Sequence, residues 1–408
     1  MKKKNKSIYV ICIFLLVLFQ TLIVYADDFD INANAGMIVE TNTGKIIYSK
    51  DAEEQNFPAS VTKILTAIVV IENCNLNEKA TVTASAVSNI PSGYVVAPLM
   101  VGEEMRIEDL LYALMLKSSN DAAYVLAEHV GGSTQGFSEI MNKKAQEIGC
   151  KNTHFVNPNG IHDDNHYTTA YDMYLIANYA MKNETFVKIV STYQYTLPAT
   201  NKYKLSDRVM ENTNSFVNPN SIYYNEIVKG VKTGTTTQAG NCLITDSAKD
   251  GLEFITVILG AKTSDSKFSE SKKMIDYAYD NYTLTKLHEK NAVITNIEVD
   301  KATKDTKNLD LLISDEITVM NNKSITVDQM TPVIKLNDEI TAPIKAGDEI
   351  GTISYNVDGL EYNAKLIAAN DVEKKTYYVE ISIAAGVTFL FLIIITIVVK
   401  SNKKKRYR

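Results

Sequence analysis

Phe57-Pro58-Ala59-Ser60-Val61-Thr62-Lys63-Ile64 sets a serine and a lysine three residues apart, at the entry to an apolar helical pattern that runs from Val61 to Ile71. Residues at that spacing share one helix face, which brings the Lys63 amine against the Ser60 hydroxyl. A serine hydroxyl alone is a weak nucleophile, and a lysine desolvated at the base of a cleft is neutral enough to take its proton. The helix N-terminus adds a Ser60 N–H that can face a developing oxyanion. Alone, Ser-x-x-Lys also describes a capped helix with a surface lysine. Its meaning depends on what else the chain carries.

Two further motifs follow in order. Lys232-Thr233-Gly234 continues Glu226–Val231, which reads as a strand. Lys232 offers a fixed cation for a substrate carboxylate, Thr233 and Thr235 offer hydroxyls, and Gly234 lets a ligand lie against the backbone. Between the motifs, Ser118-Ser119-Asn120 falls where a helix around Leu110–Leu116 gives way to one starting at Asp121. A hydroxyl there could relay a proton and an amide could hold a peptide carbonyl. Ordinary helix capping accounts for the same residue types.

The two ends place the chain in the cell. Residues 1–26 hold Lys2, Lys3, Lys4 and Lys6, an apolar run from Ile8 to Tyr25, and a small-residue site at Ala26. That order is a secretory signal, and the run is also long enough for an uncleaved anchor. Ile381–Val399 is an uncharged apolar stretch that as a helix would span about 28 Å, enough to cross a bilayer. Lys400, Lys403, Lys404, Lys405, Arg406 and Arg408 follow it and hold residues 400–408 on the cytoplasmic side, with Tyr377 and Tyr378 at the other interface. The expected location is the cell membrane, with one C-terminal span and residues 27 to about 378 outside.

The formal charge of −6 hides an asymmetry: without the ten cations of the two ends, residues 27–399 are near −16. An acidic ectodomain with no basic stripe argues against nucleic acid as a partner. Cys74, Cys150 and Cys242 remain after signal removal, odd in number and widely spaced. They read as buried small apolar residues rather than a disulfide scaffold or metal site.

About 350 exported residues exceed one core and imply two domains. Helical patterns at Val61–Ile71, Ile107–His129, Thr134–Ile148, Thr169–Met181 and Ser266–Tyr279, with strands at Asn241–Ser247 and Leu252–Ala261, describe a mixed domain over residues 27–285. After a shift in composition near 285–308, alternating segments broken by turn residues describe a small antiparallel β domain over 290–372. Its expected strands are Leu309–Ile313, Glu316–Met320, Ser324–Val327, Pro332–Leu336, Glu349–Tyr355 and Glu361–Ala368. A membrane helix over 379–399 completes an α+β architecture.

In these motifs the chain resembles the penicillin-binding serine acyl-transferases. It is most similar to the D-alanyl-D-alanine carboxypeptidases, or low-molecular-weight penicillin-binding proteins. The likeness extends to Ser118–Ala123, Phe155–Gly160, Tyr167–Asp172, Gly230–Gly234 with Ala239-Gly240, and Ala342–Gly351. It implies a penicillin-binding/β-lactamase-like catalytic domain with an all-β C-terminal domain. It further implies Ser60 as acylated nucleophile, Lys63 as its base, Ser118 as proton shuttle and Asn120 as substrate-orienting amide. Lys232, Thr233, Gly234 and Thr235 would bind the terminal carboxylate, and the Ser60 and Thr235 N–H groups would form the oxyanion hole. The implied substrate is a peptidoglycan stem peptide ending in D-Ala-D-Ala, with β-lactams as acylating mimics and no metal or organic cofactor. Ser119 stands where Gly is common, and Thr235 where some members have His.

The same residues serve carboxypeptidase and D,D-endopeptidase chemistry, which stay open. A class A β-lactamase shares the three motifs but needs a Glu in the loop that here is Phe155–His166, which contains none. A zinc site from His154, His162, Asp163 and His166 lacks the Glu that a helical His pair carries between its members.

Overall fold

The computed structural model describes residues 29–376 and 378–405; the expected signal, residues 1–26, lies outside them. The strands are β1 Ala35–Glu40, β2 Ile46–Lys50, β3 Lys79–Thr81, β4 Glu104–Arg106, β5 Gln194–Leu197, β6 Arg208–Glu211, β7 Val228–Thr236, β8 Gly240–Lys249 and β9 Leu252–Ala261. The helices of this half are α1 Lys63–Asn73, α2 Ala84–Ser88, α3 Ile107–Met115, α4 Asn120–Gly131, α5 Thr134–Ile148, α6 Ala170–Ala180, α7 Glu184–Val190 and α8 Ser264–Asn281. Five antiparallel strands in the order β2-β1-β9-β8-β7 form the central sheet.

Alternation along β9 explains the layering. Ile255, Val257 and Leu259 enter a large core with Ile64, Leu65 and Ile68 of α1, whereas Phe254 and Ile258 pack with Phe268, Met274 and Ile275 of α8. A strand with helices on both faces is apolar throughout, so only its pleat tells the faces apart. Helix α1 is buried from Lys63 to Val70. A helix apolar on every side has to run through the core, and burial of eight successive residues holds Lys63 rigidly.

The helical pattern expected over Ile107–His129 is two helices, because Ser118 adopts φ +64° and turns the chain between α3 and α4. The strand expected at Glu226–Val231 runs on through the Lys-Thr-Gly motif to Thr236. Of the three cysteines, Cys242 is buried as expected, while Cys74 and Cys150 are only half-buried, and all three are free thiols.

The C-terminal half is all β: β10 Tyr282–His288, β11 Val293–Glu298, β12 Asn308–Ile313, β13 Ile317–Asn322, β14 Pro332–Leu336, β15 Glu349–Val357 and β16 Leu360–Ala368. Five of these pair as β11-β12-β16-β15-β14, and β10 pairs with β13. Leu309, Leu311, Ile313, Val319, Ile353, Tyr355 and Leu366 form its separate core. The strand expected at Ser324–Val327 is instead a turn leading into a 3₁₀ segment, Val327–Gln329. There the Gln329 side chain takes the Thr326 N–H at 2.8 Å, a capping box that removes a donor the ladder would need. Lys45 bridges the two halves through the Asp358 carboxylate at 3.0 Å.

Helix α9, Tyr378–Lys405, contains an apolar stretch from Ser382 to Lys400 with a mean hydropathy of 2.7 that is wholly exposed. By length and composition it can cross a membrane.

Candidate active site

The cleft lies where the edge strand β7, the turn before α1 and the α3–α4 junction meet, with a volume of about 730 Å³. That is within the size of small-molecule sites. Ser60, Ser118, Asn120, Thr233, Gly234 and Thr235 line it. Lys63 and Lys232, expected in the same site, lie behind its walls and are buried.

Ser60 sits in a 3₁₀ turn, Ala59–Thr62, that leads directly into α1. Ala59 is held at φ +47°, an unfavourable backbone for a residue with a Cβ. Gly160 packs onto this turn so closely that a Cβ there would fall 1.8 Å from the Ala59 carbonyl oxygen. Thr62 Oγ1 meets His166 Nε2 at 2.9 Å, and the Val156 N–H donates to His166 Nδ1 at 3.2 Å. Burial holds the His166 imidazole neutral, down to about 3. This histidine thus fastens loop 155–166 to the turn that carries Ser60. His162 packs edge-on against Phe57, and the four residues weighed as a zinc site do not gather their ligand atoms.

Lys63 Nζ is 2.9 Å from Ser60 Oγ, 3.0 Å from Asn120 Oδ1 and 2.7 Å from the Asn159 carbonyl oxygen. Burial, reinforced by the charge of Lys232, pushes its pKa well below the usual lysine range, against a smaller opposing pull from Asp121. A neutral amine has two N–H groups and one lone pair. Two oxygens that can only accept, from Asn120 and Asn159, take the N–H groups and leave the lone pair for the Ser60 hydroxyl.

Asn120 is set by both ends of its amide, since Nδ2 donates to the Val95 carbonyl at 2.9 Å. Its neighbour Asp121 is buried and accepts the N–H groups of Ala97, Leu99 and Ala122 at 2.9–3.1 Å. One carboxylate thereby ties the segment at 95–99, a wall of the cleft, to the first turn of α4. Burial raises the Asp121 pKa, and the backbone donors oppose that rise.

On β7, Gly234 pairs with Cys242 of β8. A Cβ at Gly234 would lie 2.9 Å from the Ser60 nitrogen and 3.1 Å from the Val61 nitrogen. The missing side chain admits the Ser60 turn itself, and not only a ligand as expected from sequence. Gly234→Ala is therefore expected to push Ser60 off β7 and lower activity roughly 100-fold, the usual penalty for an ångström of misplacement, with a lowered thermal midpoint because the Cβ meets backbone atoms that must shift. Steady-state kinetics beside a melting curve check this.

Lys232 Nζ donates to the Thr233 carbonyl at 3.0 Å, and burial, with a smaller contribution from Lys267, lowers its pKa to about 7. Thr233 Oγ1 meets Thr213 Oγ1 at 2.7 Å, and Thr235 Oγ1 donates to the Gly234 carbonyl at 2.7 Å.

Several groups here escaped sequence reading. Lys267 of α8 lines the cleft almost fully buried, 5.3 Å from the Phe268 ring centre. It lies in an ordinary amphipathic helix with no local motif. The backbone carbonyl of Asn159 carries no side-chain signal. Asn157 shapes that loop by accepting the Gly160 N–H at 2.7 Å and donating to the Ile161 carbonyl at 2.8 Å.

Comparison with known proteins gives the same picture. A family model described as D-alanyl-D-alanine carboxypeptidase matches residues 22–263, and one described as the penicillin-binding protein 5 C-terminal domain matches residues 282–374. D-alanyl-D-alanine carboxypeptidase DacF of Bacillus subtilis is 33% identical over 356 residues, 85% of this chain and 87% of that protein. The D-alanyl-D-alanine carboxypeptidase of Streptomyces sp. strain K15 is 35% identical over 264 residues, 61% of this chain and 88% of that one. Among solved structures, penicillin-binding protein 5 from Haemophilus influenzae superposes with a TM-score of 0.64 at 28% identity, covering 85% of this chain and 98% of that one.

Proposed function

The chain belongs to the D-alanyl-D-alanine carboxypeptidase family, and from that premise we propose that it removes the terminal D-alanine from peptidoglycan stem pentapeptides through an acyl-enzyme on Ser60. The observation that carries this reading is the buried Lys63 amine 2.9 Å from the Ser60 hydroxyl, with two acceptor oxygens, of Asn120 and Asn159, on its other sides and burial pushing its pKa well below the usual lysine range.

In the proposed reaction, the Ser60 hydroxyl gives its proton to Lys63 Nζ as its oxygen attacks the penultimate carbonyl. The Ser60 and Thr235 N–H groups receive the developing oxyanion. Ser118 passes the proton to the departing D-alanine amine, and water then releases the shortened peptide. Asn120 fixes Lys63 through Oδ1, with its Nδ2 held by Val95, so its contribution is to hold the base as well as to orient substrate. Thr233 and Thr235 would meet the substrate carboxylate in the field of two buried lysines, Lys232 and Lys267. β-Lactams, whose strained amide mimics the scissile bond, would acylate the same serine. We place the catalytic half, residues 27–285, and the β-rich half, 290–372, outside the cell, tethered by Ser382–Lys400 in the membrane, with the basic tail inside.

The test is release of free D-alanine from a pentapeptide ending in D-Ala-D-Ala by the full-length protein in detergent, beside labelling by a fluorescent penicillin. Release with labelling supports the proposal. Labelling without release would move the substrate to a cross-linked peptide and the activity to D,D-endopeptidase. Absence of both release and labelling would overturn the acyl-enzyme reading.

The carboxylate site has its own pH signature. Lys232, with a pKa near 7, is protonated below that pH and loses its charge above it. KM for the pentapeptide is therefore expected to rise as pH increases from 6 to 9, and Lys232→Gln should give a high KM that no longer varies over that range. A wild-type KM flat with pH would remove Lys232 from substrate binding.

A further inference from the structure

Away from the cleft, one set of side chains has the chemistry of a ligand sphere. Among the described residues, Cys74, Glu78 and His129 are the one grouping of three metal-ligating side chains, with their Sγ, carboxylate and imidazole atoms all within 4.8 Å of one another. We propose that these three residues hold a divalent transition metal of the zinc class, which joins the far ends of α1 and α4.

Donor type and spacing support this. Thiolate, imidazole and carboxylate with an open fourth position are a zinc ligand set, and a tetrahedral metal holds its ligand atoms roughly 3.5 Å apart. Glu78 Oε1 is already 3.2 Å from His129 Nε2, and the Cys74 sulfur lies within 4.8 Å of both. The loop that carries two of the ligands is fixed through its backbone. The Cys74 N–H donates to the Val70 carbonyl at 3.0 Å, the Glu78 N–H to Asn75 at 3.0 Å, and the Glu78 carbonyl accepts the Ile107 N–H at 3.0 Å. Metal binding then costs little ordering. Lys79, next in the chain, pairs with Glu104 at 3.8 Å.

Position adds a second argument. Cys74 caps the C-terminus of α1 and His129 lies in the last turn of α4. Helix C-termini favour cations, and here two of them converge. The opposite ends of the same helices begin at Lys63 and Asn120, the pair joined at 3.0 Å beneath the cleft. A metal at the far ends would clamp the two helices that hold this pair in register. Coordination breaks the Cys74 S–H bond, forms the sulfur–metal bond from the freed electron pair and gives the proton to solvent, with no change of oxidation state.

The experiment is a Co²⁺ titration of the chelator-treated full-length protein in detergent, read by absorption. Expected is a thiolate-to-cobalt charge-transfer band that saturates at one equivalent and is bleached by one equivalent of Zn²⁺. The band should vanish in Cys74→Ser, persist in Cys150→Ser, and need at least about tenfold more Co²⁺ in His129→Ala. Zn²⁺ should raise the thermal midpoint of the wild type and leave that of Cys74→Ser unmoved. A titration without the band, or a band that survives in Cys74→Ser, overturns the proposal. His129 is exposed, so His129→Ala reports even if Cys74→Ser folds poorly, and a wild-type response in His129→Ala is equally fatal.

Discussion

Ser60→Ala is expected to abolish both D-alanine release and covalent penicillin labelling, with a loss of about 10⁴–10⁶-fold in turnover, the range seen when a serine nucleophile is removed. The fold should survive. Ser60 is half-buried, its Oγ touches Lys63 at 2.9 Å and the Asn159 carbonyl only at 3.5 Å, and Lys63 keeps its two other partners after the hydroxyl is gone. A small truncation of that kind normally shifts stability by less than about 1 kcal/mol. The informative measurement is therefore the pair of label and melting curve. Loss of label with an unchanged melt locates the nucleophile, whereas label retained in the variant would send the acyl group elsewhere, to another cleft serine such as Ser118.

Lys63→Met is expected to lower the rate of penicillin acylation by about 10²–10⁴-fold, the usual contribution of a positioned base, while leaving Ser60 in place. Methionine has nearly the length of lysine and fills the buried slot without a charge. The accompanying pH profile gives the decisive test. A base acts only when deprotonated, so if Lys63 is the base, wild-type acylation should fall as pH drops through its lowered pKa and hold above it, with the acid limb lying well below the usual lysine range. Together with the loss of Lys232 charge above about 7, this makes kcat/KM for the peptide bell-shaped. The two lysines interact, so the limbs belong to the pair rather than to either residue. A small penicillin without strong dependence on Lys232 should show the acid limb more cleanly. If Lys63→Met acylated at the wild-type rate, the lysine would be a structural strut and the base would have to be sought elsewhere in the cleft.

The 3.6-residue and two-residue patterns marked most helices and most of the late strands, because many of those elements present one apolar face, although α1 is apolar on every side and β14 is largely exposed. They failed where that signal is missing. Strand β1 is buried along its whole length, so nothing alternates, and at 326–329 side-chain capping outcompetes a β-like pattern. The active-site motifs were legible for a different reason: Ser60 and Lys63 interact across a single helical turn, so their spacing alone brings them together. Asn120, Asn159 and Lys232 reach them only through chain closures of 57 residues or more.

By itself, then, the sequence determined the chemistry-bearing motifs, the acidic stretch before an apolar and basic C-terminal end, and the alternation of helix and strand, all of which rest on residue type and local periodicity. The tertiary structure decided which groups act on which. It buried Lys63 and Lys232 so that desolvation depresses both, turned the Asn159 carbonyl onto the amine, brought Lys267 to the cleft from α8, and set Gly234 against the Ser60 turn. It also gathered Cys74, Glu78 and His129 at the far ends of α1 and α4. Desolvation and long-range hydrogen bonds depend on which distant segments pack together, and residue spacing along a chain carries no record of that.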